Sequence, residues 1–155
     1  MKVKINGIDE VIKKIENYKK DLTEKQSKLV ALLSARGYEI MVNEINSLNM
    51  PFSKGELIRG CSFDYGDTRA TVYVISDHAI FVEFGTGITG AWSPHPDNKI
   101  GYVYDVNNHG YDGWYYTDET GKHWTRGMPS RAFVYITAQQ LRDELIVIAK
   151  EVFKQ

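Results

Sequence analysis

The chain is predicted to be an α+β domain in which helices from its two ends pack on an antiparallel sheet. Three observations carry this. Apolar residues recur at helical spacing through the first third, alternate with a period of two in the middle, and return to helical spacing in the last stretch. A length of 155 residues fits a single domain, 1–155, that buries roughly 70% of its unfolded surface.

The helical region is placed at 8–48. Ile8, Val11, Ile12, Ile15, Tyr18 and Leu22 form one stripe, and Leu29, Val30, Leu33, Ile40, Met41, Ile45 and Leu48 extend it. Unbroken, this helix would run about 60 Å, against a body about 40 Å across, so it must break, bend or protrude. Thr23-Glu24-Lys25-Gln26 has the form of a capping box and places a break near Asp21 to Thr23. Gly37, costly inside a helix, implies a close helix crossing. Asn49-Met50-Pro51-Phe52 ends the region, since proline cannot continue the ladder.

A sheet is placed at 60–84. Ser62 to Tyr65, a Gly66-Asp67 turn and Arg69 to Ile75 read as a hairpin, and the apolar run Ala79 to Val82 as extended chain. An extended insert, 86–113, is rich in Gly, Asn, Pro and aromatics without a helical period. Trp92, Tyr102, Tyr104, Tyr111 and Trp114 are interface candidates there, because such rings are costly to leave wet and are enriched at contacts. A second hairpin follows at 114–125, turning through Asp118-Glu119-Thr120-Gly121. The capping box Thr137-Ala138-Gln139-Gln140 then opens a C-terminal helix, 138–153.

A net charge of −1 and a pI near 6.4 disfavour general binding to nucleic acid or anionic membrane. No run approaches the ~20 apolar residues of a membrane span. The lone Cys61 and the lack of a secretory signal point to synthesis in a reducing cytoplasm.

Two segments stand out. Glu83-Phe84-Gly85-Thr86-Gly87 ends an apolar stretch in a glycine corner, and Gly127-Met128-Pro129-Ser130-Arg131-Ala132-Phe133 brings the chain back to the core. Glu83 is expected to clamp the corner by pairing with Arg131 or with exposed backbone amides. Together with Gly55-Glu56-Leu57-Ile58-Arg59-Gly60 and His78-Ala79-Ile80-Phe81-Val82, these segments resemble the tail-completion, or head-tail joining, proteins of long-tailed double-stranded-DNA bacteriophages. Those proteins carry a Gly-x-Leu-x-x-Ser-like element, a Tyr-Ala-x-x-Val-Glu-Phe-Gly-Thr segment and a Pro-x-Arg-Pro-Phe segment in that order. Here His78 replaces the tyrosine, Ala132 the second proline, and Gly60 stands at the serine position.

The resemblance implies Gly55, Leu57, Ala79, Glu83, Phe84, Gly85, Thr86, Gly87, Pro129, Arg131 and Phe133 as structural motif residues. It also implies a non-enzymatic virion neck protein, assembled in the host cytoplasm as a homo-oligomeric ring of six. That ring would join the tail tube to the head connector, with head stopper, tail terminator or tail tube proteins as neighbours. DNA would pass through its channel without sequence-specific binding. The free chain is expected to be largely monomeric, its insert completing contacts on assembly. The alternative is a tail terminator, and a remote one a small metal-dependent hydrolase or nuclease. His78, His95, His109 and His123 lack the spacing of a metal site, so neither metal nor cofactor is expected. Gly85-x-Gly87, without a following helix and lysine, is not a phosphate cradle.

Overall fold

The computed structural model describes residues 7–50, 54–97, 101–118 and 120–154. Pro51 and Phe52, expected to end the first helix, and Glu119 of the second turn lie outside these ranges. The element order is α1 Ile8–Ser47, α2 Lys54–Gly60, β1 Cys61–Tyr65, β2 Ala70–Val74, α3 Ala79–Phe84, α4 Gly87–Trp92, a 3-10 turn Gly110–Asp112, β3 Trp114–Asp118, β4 Gly121–Thr125 and α5 Phe133–Phe153. The fold is α+β, as predicted: a long N-terminal helix, a C-terminal helix and two separate two-stranded antiparallel sheets. No helix among the described residues is long and apolar enough to cross a membrane.

The expected break in the first helix is absent, and α1 runs unbroken for 40 residues. The Thr23 hydroxyl donates back to the Lys19 carbonyl at 3.0 Å, so it sits inside the ladder instead of capping a new helix. Ion pairs Lys20–Glu24 and Asp21–Lys25 span the same turns at i, i+4. Excess length is taken up by protrusion. Every residue from Ile8 to Glu24 is exposed.

Packing explains where the protrusion starts. α5 lies antiparallel on α1, held by the Arg36 fork on Glu144 (2.6 and 2.7 Å) and by Gln140 on Glu44 (2.6 Å). At Gly37 the helix pair closes tightly, since a Cβ there would meet Val72 and Leu141 at 3.0 and 3.2 Å. That is the crossing the glycine implied. Counting nine residues on from Glu144 and nine back from Arg36 sets the end of α5, Phe153, beside Ser27. The β1–β2 turn stops at the same level, with Ser27 donating to Asp67 at 3.2 Å. Among the described residues, neither α5 nor the β1–β2 turn extends much further along α1.

The Arg36 fork holds the Glu144 carboxyl below the usual carboxylate range, and the guanidinium in turn is held more firmly protonated. Because the folded value of Glu144 lies below the unfolded one, its contribution to stability is complete above about pH 4.5 and is lost as pH falls through the folded value. Hydrogen bonds lower Glu56, Asp105 and Asp118 in the same direction. Stability is therefore expected to decline below about pH 4.5, and Glu144→Gln to show a shallower decline. Denaturant midpoints measured from pH 7 to pH 3 check this; parallel profiles for the two proteins would contradict it.

β1 and β2 pair from Cys61 opposite Val74 to Tyr65 opposite Ala70. The predicted continuation of this sheet to residue 84 is corrected: Ala79–Phe84 is helical. A short apolar run does not distinguish helix from strand by itself. Here the helical turn buries Val82 and Glu83 together while Ile80 and Phe81 stay exposed. The core joins Met41 and Ile45 of α1, Leu57 of α2, Cys61 of β1, Val82 of α3 and Phe133 of α5. The Cys61 thiol donates to the Leu57 carbonyl, and burial pushes its pKa up, as befits a packing residue rather than a nucleophile.

Candidate assembly site

The two motif segments, more than forty residues apart, meet in one corner. Thr86 N–H donates to the Met128 carbonyl at 2.9 Å, and Met128 N–H returns to the Thr86 carbonyl at 3.2 Å. Ser130 Oγ donates to the Glu83 carbonyl at 2.6 Å, and Arg131 N–H to the Val82 carbonyl at 2.9 Å. Glycine is required on both sides. Gly85 has φ 82°, and a Cβ there would stand 2.6 Å from Ser130 N; at Gly127, φ 92°, it would overlap the Thr86 carbonyl.

Glu83 is the centre of this corner. Its side chain is 9% exposed, and its two oxygens accept from Val134 N–H at 2.8 Å and Tyr135 N–H at 3.0 Å. These are the otherwise unpaired amides of the first turn of α5, whose N-cap residue Ala132 offers no side-chain acceptor. A buried carboxylate from α3 thus caps α5 and meets the positive end of its dipole. This explains why α5 begins at Phe133 and not at 138: Thr137 Oγ1 donates back to the Phe133 carbonyl at 2.7 Å, inside the helix. Of the two partners expected for Glu83, the backbone amides are found. The Arg131 pairing is not, as that guanidinium reaches the Asn49 carbonyl at 3.5 Å.

The other partner of Glu83 is His95, which sequence reasoning left among loop histidines. Its ring is 3% exposed, Nε2 lies 3.0 Å from Glu83 Oε1, and Nδ1 accepts from Asp97 N–H at 3.0 Å. That network assigns the proton to Nε2. The only sequence signal was its flanking Pro94 and Pro96, which stiffen the chain around it.

The insert is therefore not a free limb. Phe84 lies 4.5 Å from His95 and stacks on Tyr102 at 4.7 Å; Tyr102 meets Tyr104 edge-on, and the Tyr104 hydroxyl accepts from His95 N–H at 3.1 Å. Trp114 stacks on His109 at 4.2 Å. Of the five interface candidates, Tyr102, Tyr104 and Trp114 pack on the corner, whereas Trp92 and Tyr111 stay about two-thirds exposed. The second hairpin, confirmed with Trp114 opposite Thr125, adds exposed Tyr115, Tyr116 and Trp124. Gly55 is exposed on α2, Leu57 is fully buried, Ala79 packs at the edge of the core and Pro129 is half-buried in the segment between β4 and α5.

A helix does follow Gly85-x-Gly87, contrary to expectation, but it has six residues. Its first amides are occupied: Gly87, Thr89 and Gly90 donate to the carbonyls of Tyr104, Arg126 and Thr86. They are not presented to a phosphate. Each histidine has a nearby carboxylate, His78 with Glu56, His95 with Glu83, His109 with Asp105 and His123 with Asp118. Among the described residues no three His, Cys, Asp or Glu side chains are grouped to share a metal ion, and no buried side-chain nitrogen or oxygen lacks a partner.

Two open apolar cavities, about 430 and 490 Å³, flank α5 and share Val134 and Ala138. The second borders Glu83 and His95, whose polar atoms are already engaged with each other and with backbone. Comparison of the chain with family models, with curated proteins and with solved structures finds no match.

Proposed function

We propose that the protein is a structural part of a bacteriophage or prophage neck, a subunit of a ring that joins the tail tube to the head connector. The observation that carries this reading is the division of its polar and apolar groups. The motif corner is saturated internally, with Glu83 spent on a helix cap, while large aromatic side chains on the β3–β4 hairpin are left at the surface. Chemistry needs the reverse, a reactive group with capacity to spare. Surfaces of this kind are completed by neighbouring subunits.

In this reading α3, α5 and the corner form the rigid body. The exposed rings of Trp92, Tyr111 and the second hairpin contact ring neighbours, the head stopper and the tail proteins. A near-zero net charge suits a channel through which DNA slides without being gripped. Deleting the coding sequence in the producing strain should leave finished tails of normal length and filled heads unjoined, seen by electron microscopy. Overlong tails would move the role to tail termination, and intact infectious particles would overturn it.

A further inference from the structure

We propose that the protruding part of α1 pairs with the same segment of a second copy, antiparallel, as a short two-stranded coiled coil. This contact is independent of the neck reading. A two-fold contact closes on itself and cannot build a ring.

The stripe is a core face without its cover. Within the body the face of α1 that carries Gly37, Ile40 and Met41 is buried under β2 and α5. The same face continues past Ser27, where both covers end, as Ile8, Val11, Ile12, Ile15, Tyr18 and Leu22, each 43–68% exposed. From Ile8 to Gln26 the arm is about 28 Å long. Ile8, Ile15 and Leu22 repeat every seven residues, and Val11 and Tyr18 fall at the intermediate heptad position.

Charge selects the direction. In a parallel pair in register, Lys14 faces Lys19 of the second copy across the seam. Running antiparallel with Ile15 opposite Tyr18 of the second copy, Val11 meets Leu22, and Lys14 lies against Asp21 twice by symmetry. Length selects the register. This overlap sets Ile8, the first residue of α1, beside Lys25 of the second copy, just short of Phe153 and Asp67. Sliding one heptad further drives the first turn of α1 past Ser27 to the level of α5. Six side chains at roughly 100 Å² apiece, with the Lys14 and Lys19 stems, approach the ~800 Å² per partner of a standard interface. A micromolar dimer is expected. The monomer anticipated from sequence placed the contacts in the insert, which instead packs on its own corner.

Sedimentation equilibrium of the full chain from about 5 to 500 μM is expected to show monomer and dimer. Ile15→Glu should weaken association at least ~30-fold with unchanged thermal unfolding of the body, since Ile15 touches none of it. Lys14→Glu and Asp21→Lys should each weaken it ~3- to 10-fold, and the double variant should restore it. Lys14→Cys with Asp21→Cys should oxidise to a covalent dimer, as these positions are about 10 Å apart on their own helix and cannot bridge internally. A monomer throughout, a dimer indifferent to Ile15→Glu, or ready self-cross-linking of Ile8→Cys, whose two copies lie about 25 Å apart in the antiparallel pair and face each other only in a parallel one, overturns the proposal.

Discussion

Glu83→Ala is expected to destabilise the fold by about 3–5 kcal/mol, a large share of the ~5–15 kcal/mol that a domain of this size has. The loss has two physical parts. Removing a helix cap costs about 1–2 kcal/mol, and here two amides of α5 lose their acceptor at once. The buried Nε2–H of His95 is stranded as well, and an unpaired buried donor costs about 1–3 kcal/mol. His95→Ala should cost less, because the carboxylate keeps both amides. Glu83→Gln should fall between wild type and Ala, as one acceptor oxygen remains. Equilibrium urea unfolding gives all three values. A loss under about 1 kcal/mol for Glu83→Ala would mean that α5 is held by packing alone.

Excising residues 88–112 is expected to abolish cooperative folding, although the sequence alone reads this stretch as an extended insert whose loss would spare folding and stop assembly. The cut is geometrically permissive. Gly87 approaches Trp114 and the Arg126 carbonyl, while Gly113 lies against Thr125 and Arg126, so the ends to be joined are neighbours and a short Gly-Ser link spans them. What disappears is the cover of the corner: the His95 ring, the Tyr102 stack on Phe84, and the Tyr104 carbonyl that accepts Gly87 N–H. Each aromatic of this size buries on the order of 150 Å² or more. Near-ultraviolet circular dichroism through a thermal ramp is the measurement. A sharp transition within about 5 °C of wild type would return the insert to the status of an appendage.

Much of the architecture was legible because it is written in local periodicity. The two hairpins, with turns at Gly66-Asp67 and before Gly121, and the terminal helices were placed within a few residues. The errors lie where a local signal was outweighed by a distant partner. Two capping boxes, at Thr23 and Thr137, have the right residues at the right spacing, yet both threonines bond backwards into helices that had already started. For α5 the earlier start depends on Glu83, fifty residues upstream, and no local pattern records that. Ala79–Phe84 could be strand or helix by pattern, and only the need to bury Val82 and Glu83 on one side decided it.

The candidate site divides in the same way. Its glycines and Glu83 were identifiable as a corner from residue type, since positive φ and a lone carboxylate beside an apolar run have few uses. His95 was not, because histidine in a polar loop carries no sign of its burial. The sequence by itself determined the two terminal helices and the two hairpins, where the chain must turn sharply, and that one face of α1 is apolar along most of its length. Tertiary structure alone decided that Glu83 caps α5 and holds His95, that the insert closes over the corner, and that the α1 face goes bare beyond Ser27. The physical reason is that turns and amphipathic faces follow from neighbours in the chain, whereas caps, burial and cover depend on how far α5 and the first hairpin reach in space.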